Sequence, residues 1–221
     1  MMNEEMSMMV FGFPLDIVMF ASALFYLVCA AIIWKPFREE KNELIGALFA
    51  FLVYQALAMF FMGMEMSTMK MIYANLSGLA ILIGSAYMLK FPFARFSEGT
   101  RKMLFALSLL VVLSLFVWFV SSPSREMMFG HFAIWYDVVV NGIVVGFFML
   151  FVGLRAKESW LRIKAIGGGT GVASCCVVAN IAMLGGALAV SSVFQFSAPI
   201  IIIASIVAGR KKQNRALPPI A

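Results

Sequence analysis

The chain has 221 residues, 63% of them apolar and only 13% charged, with a mean hydropathy of +0.97 and a net charge of +6. Soluble domains carry about 25% charged residues, so a water-soluble globule is excluded. Seven helical crossings at roughly 20 residues each would use about two-thirds of the length, which leaves no room for a soluble catalytic domain. The basic residues sit in short runs between apolar segments and not on one polar face, so nucleic acid is not an expected partner.

Taken in chain order, the first apolar run is preceded by Glu4 and Glu5, where a signal peptide would carry basic residues, and it is too long for an h-region. It is expected to remain as a helix. Apolar runs bounded by charges or turn residues predict seven spans, over 14–34, 44–62, 71–89, 103–120, 132–153, 163–184 and 188–209. Lys35, Arg38 and Lys41 follow the first span; Lys90, Arg95, Arg101 and Lys102 follow the third. Arg155, Lys157, Arg162 and Lys164 follow the fifth, and Arg210, Lys211, Lys212 and Arg215 the last. Only Lys70 and Arg125 fall in the alternate connections, so fifteen of the seventeen basic residues share one side. Exporting Lys or Arg is disfavoured, which puts that side in the cytoplasm.

The expected fold is therefore all-α: a polytopic seven-transmembrane helix bundle, N-terminus outside and C-terminus inside, in the cell (inner) membrane. It forms one domain over 1–209, followed by a short basic cytoplasmic tail over 210–221 that reads as a topology anchor near anionic lipid.

Polar groups in hydrocarbon need a partner or water. With this orientation Asp16, Gln55, Asn75, Asp137, Asn141, Asn180 and Gln195 all fall in the outer half of their spans, which predicts a polar interior open to the outside. Asp137 and Asn141 lie one helical turn apart on one face, in the stretch HFAIWYDVVVN, with His131, Trp135 and Tyr136 above them. The candidate ligand-binding set is Asp137, Asn141, Asn75, Asn180, Gln195, Gln55, Trp135 and Tyr136. Asp137 would take a cationic or hydroxylated ligand or a proton; the competing reading of the amides is inter-helical glue. Tyr54, Tyr73, Tyr136, Trp118 and Trp135 also suit an aromatic belt.

The sixth span opens RIKAIGGGTGVASCC, in which Gly167 and Gly171 form a GxxxG for close helix packing. GGGTG lacks the Lys-Ser/Thr of a nucleotide loop. Pro199 should kink the last span. Cys29, Cys175 and Cys176 lie in apolar stretches and indicate no disulfide framework. The methionine runs MMNEEMSMM and MEMSTMKM have no adjoining Cys or His and read as apolar filler, so no metal or other cofactor is expected. A retinal chromophore would need a lysine within 188–209, and there is none. With one His, no HExxH and no CxxC, the chain is not expected to be an enzyme.

Over residues 14 to 209 the chain resembles the seven-transmembrane N-terminal sensor region of bacterial membrane histidine kinases. The features that carry the resemblance are the short basic first loop, a third span ending LKFPFARF, the basic LRAKESWLRIK behind the fifth span and a sixth span ending VVANIAML. The resemblance implies a receptor or sensor that passes an outside signal inward, with the bilayer, a separate cytoplasmic signalling protein and a second copy of the chain as partners. The alternatives are a small-solute transporter of three-plus-one-plus-three helices and a structural membrane subunit. For the transporter, an offset of about 125 residues pairs Asp16 with Asn141, Gly46 with Gly171, Gln55 with Asn180 and Gly84 with Gly209. A structural subunit would show a packed polar cluster and no outward cavity.

Overall fold

A computed structural model describes residues 9–40 and 42–216. Glu4, Glu5, Lys41, the first eight residues of the N-terminal methionine run and the tail beyond Ala216 lie outside the described residues. The chain opens with a small hairpin, β1 (Met9–Val10) antiparallel to β2 (Phe13–Pro14). Its two-residue turn, Phe11 and Gly12, holds φ of +53° and +81°, the left-handed pair that suits a tight hairpin. Val10 buries against Leu15 and Met19 at the start of the first helix.

The fold is all-α, with seven helices among the described residues long and apolar enough to span a membrane. They are α1 (Leu15–Glu40), α2 (Glu43–Thr68), α3 (Met71–Met88, prolonged by a turn over Lys90–Phe93), α4 (Glu98–Val120), α5 (Pro123–Arg155), α6 (Ser159–Leu184) and α7 (Leu188–Ala216). Local chemistry sets several of the ends. The Asn42 side chain accepts from the backbone of Leu44 at 2.8 Å and so caps α2, whose other end stops at Met69 in the left-handed region. Ser97 caps α4.

Several boundaries depart from the sequence expectation: α1 and α2 run six residues beyond 34 and 62, α4 starts five before 103, and two departures are larger. The fifth helix begins at Pro123 and not near 132, because Ser122 and Pro123 supply a start signal in a stretch too polar to count as a span. Its 33 residues make it about 50 Å long, more than the roughly 30 Å that crossing a hydrocarbon core takes. The last helix continues past Gly209 to Ala216, so the start of the expected tail is helical.

Packing follows chain order within each half: α1 on α2 on α3, and α5 on α6 on α7. Contacts of α3 with α5 and of α7 with α1 close these six into a ring. Helix α4 stays outside against α3 and α5, with only Val112 and Phe119 buried. The second and sixth helices start at Glu43 and Ser159, 116 residues apart, and the third and seventh at Met71 and Leu188, 117 apart. These spacings replace the 125-residue offset, whose chosen pairs do not share a depth.

Alternation of direction gathers the basic connections at one end of the bundle, where Arg101 pairs with Glu43 at 3.3 Å and Arg210 pairs with Glu39. At the other end Asp16 accepts from the Ser67 hydroxyl at 2.9 Å, tying the start of α1 to the end of α2.

In the second half the backbones come close. A Cβ on Gly169 would stand 2.8 Å from the Gly146 carbonyl and 3.0 Å from the Leu150 nitrogen of α5; one on Gly171 would stand 2.9 Å from the Ala198 carbonyl of α7. Gly167 likewise faces Ser205 of α7. The GxxxG face therefore serves α6–α7 packing, and Gly169 serves α5–α6. Lipid gives no hydrophobic drive to such contacts, so van der Waals fit at short range stabilises them.

Candidate functional site

Two helices carry wide π-turns facing one another, Val138–Gly146 in α5 and Ser174–Ala179 in α6. Such turns widen the backbone ring, re-aim side chains and recur at functional sites. Asp137 stands at the threshold of the first. Its Oδ1 accepts from Asn141 Nδ2 at 2.6 Å and its Oδ2 from Asn180 Nδ2 at 2.8 Å. The side chains of Gln55 on α2 and Cys176 on α6 stand beside the carboxyl. Asn141 Nδ2 donates further to Ser85 Oγ of α3 at 2.9 Å, and that hydroxyl donates to the Ile81 carbonyl. One carboxyl group thus gathers side chains of α2, α3, α5 and α6.

Asp137 is 2% exposed and Asn141 0%. No Lys, Arg or His pairs with Asp137 among the described residues, so neutral donors alone stabilise its charge, against a desolvation cost of several kcal/mol. One acceptor is left over: Asn141 Oδ1 is buried without a partner. Below the node, toward the basic end, Phe51, Leu52, Val145, Val172 and Ile202 form part of a continuous apolar core. Beside it, Tyr26 of α1 meets Cys175 Sγ at 3.0 Å and donates to the Gln195 carbonyl of α7 at 3.1 Å.

Of the sequence-predicted set, the structure brings together Asp137, Asn141, Asn180 and Gln55. Asn75 is elsewhere, donating to Glu126 on α5. Gln195 is buried and meets the neighbouring Tyr26 through its backbone carbonyl. Trp135 is 53% exposed on the outer surface of α5, and Tyr136 packs beside Phe132. Both belong to the periphery. Ser85, Cys176 and Tyr26 were not anticipated, because Ser, Cys and Tyr are ordinary in apolar helices and only tertiary packing selects these three. Asp137 and Asn141 are themselves buried, so the expected outward opening does not reach the node.

Open space lies above and below it. A cleft of about 220 Å³ opens at the Lys/Arg-poor end between α2, α3 and α5, and includes Glu65, Glu126 and His131. A larger one of about 470 Å³ opens at the basic end, with Leu48, Phe148, Met149 and Ile206 as apolar walls and Arg95, Trp160 and Lys164 at its mouth. Neither is lined by Asp137 or Asn141. No family model, curated protein or solved structure matches the chain.

Chemically the node can exchange a proton. As a carboxylate, Asp137 accepts from both amides. A proton on Oδ1 would confront the Asn141 amino group, and the contact is restored only if that amide turns to present its unpartnered Oδ1. The amino group then leaves Ser85, whose hydroxyl is free to donate to the turned amide oxygen, so neutralising the acid would exchange the hydrogen bonds between α5 and α3. Among the described residues no group of three His, Cys, Asp or Glu is placed to hold a metal ion.

Proposed function

We propose that the protein is a small receptor-like bundle of the cell membrane, with the Lys/Arg-poor end outside and the basic end inside. The observation that supports this best is the sealed Asp137 node between two separate clefts. A solute in transit would need volume at the node, and the Asp137 carboxyl is surrounded by Asn141, Asn180, Gln55 and Cys176. A signal needs only a change of hydrogen bonding there. A ligand in the outer cleft or a proton reaching Asp137 favours one of two packings of α5 and α6, and the glycine contacts of α6 carry the shift to the inner cleft, where a cytoplasmic partner reads it. The ligand acts only through different affinities for the two packings.

Spin labels on cysteines replacing Lys157 and Lys211, at the ends of α5 and α7, would test the reading in lipid nanodiscs. Acidification should shift their distance distribution in the otherwise native chain and leave it fixed when Asp137→Asn is added. A distribution that ignores pH and is identical in both backgrounds would overturn the proton arm.

A second reading, a small-solute transporter, is favoured by the arrangement of three helices, one outlying helix and three more, with the polar node at the seam between the halves and a cleft open to one side. Counterflow of labelled solutes in liposomes separates it from a receptor.

A further inference from the structure

The cleft at the basic end carries one sign of charge. It is lined by the starts of α2 and α6, the turn that prolongs α3, the end of α5 and Ile206 of α7. Its charged lining residues are Arg95 and Lys164, and no Asp or Glu lines it. Lys164 is half-buried; its ammonium lies 5.2 Å from the centre of the Trp160 ring and donates to Gln213 of α7 at 3.0 Å, which holds the charge at the mouth.

Arg95 differs from other arginines of this end. Arg101 pairs with Glu43, Arg210 with Glu39, and Arg162 donates to the Ala156 carbonyl. Arg95 has no carboxylate partner among the described residues, and its guanidinium rests 5.0 Å from the centre of the Phe148 ring, a wall of the cleft. A guanidinium fork matches the two oxygens of one carboxylate.

Behind this cationic mouth the space is apolar. Leu48, Phe91, Met149 and Ile206 line it and are at the same time buried members of the bundle core. At about 470 Å³ it lies in the lower half of the roughly 300–1,000 Å³ range of small-molecule sites, which suits one hydrocarbon chain and not two. A helix of a partner protein does not fit, since two turns of a cylinder about 10 Å across fill about 850 Å³.

We propose that this cleft binds a long-chain fatty carboxylate drawn from the inner leaflet. The carboxylate sits on Arg95 beside the Lys164 ammonium, and the single chain runs inward between Leu48 of α2, Met149 of α5 and Ile206 of α7. The inference goes beyond the receptor reading and needs only its orientation, which makes the inner leaflet the source.

Photolabelling of the full chain in zwitterionic nanodiscs, at mildly alkaline pH, with a palmitate analogue carrying a mid-chain diazirine tests it. Peptide mapping should place label on Leu48, Met149 or Ile206. Excess palmitate should remove that label and methyl palmitate should not. Arg95→Gln, at an exposed position, should raise the palmitate needed for half-competition at least tenfold, the scale of one hydrogen bond between charged groups. Val152→Phe adds bulk at a half-buried position of the lining and should raise it as much. Label confined to exposed apolar residues such as Leu24 and Leu110, equal competition by the methyl ester, stronger competition by phosphatidylglycerol, or unchanged half-competition in either variant would overturn the site. Cleft labelling together with spin-label distances that ignore pH would keep this site and remove the proton arm of the receptor reading; pH-driven distance changes without cleft labelling would do the reverse.

Discussion

Pro199 has no amide hydrogen, so the Gln195 carbonyl one turn earlier in α7 loses its helical partner. The Tyr26 hydroxyl of α1 donates to that oxygen at 3.1 Å and restores the missing bond from a neighbouring helix. The tyrosine is buried between α1 and α7, where no water can substitute. Tyr26→Phe keeps the ring and removes only the donor; it should destabilise the fold by about 1 kcal/mol, the usual net value of one hydrogen bond, with about 3 kcal/mol as the ceiling for a buried orphan. Reversible unfolding of the two proteins in mixed micelles measures the difference. At this scale the sequence was partly legible. Asp137 and Asn141 declare each other by spacing. The roles of Ser85, Cys176 and Tyr26 are not written in any local pattern, and Asn75 left the predicted set because the polar first turns of α5 bring Glu126 within its reach.

Among the helices, α6 shows how backbone proximity replaces hydrophobic drive. Gly169 lies against main-chain atoms of α5, which cannot rotate out of the way as a side chain does. Gly169→Ala should therefore force the two helices apart and destabilise the bundle by about 1–3 kcal/mol, the range for overpacking. Gly130→Ala on α5 meets open space and should stabilise by about 0.5–1 kcal/mol through helix propensity alone. Melting of both variants in the same detergent checks the pair, and equal effects would mean that the α5–α6 contact is looser than described. The glycine-rich start of α6 was readable as a packing face, although the sequence could not divide its glycines between α5 and α7. The π-turns of α5 and α6 left no trace in composition, since they arise where neighbouring helices compete with regular hydrogen bonding. The early start of α5 was marked by Ser122 and Pro123 and was overlooked because hydropathy, and not capping, defined the spans.

For the molecule as a whole, the seven apolar helices follow from the runs of the sequence almost directly, because a bilayer demands length and hydrophobicity and little else. What hydropathy cannot supply is which helix neighbours which, and so it could not place α4 outside the ring or seal the polar node. The charge asymmetry predicts opposite compartments for the two chain ends: a cysteine replacing Ser7 should react with an impermeant maleimide applied to intact cells, and one replacing Gln213 only after lysis. Labelling of both from the same side would overturn the proposed orientation. The outlying α4 acts as an inverter. Three helices reverse a chain's heading, so a following set of three would face the opposite way; one additional crossing resets it, and α5, α6 and α7 repeat the headings of α1, α2 and α3. A helix with little share in the interior can thus hold its place through the symmetry it confers on the rest.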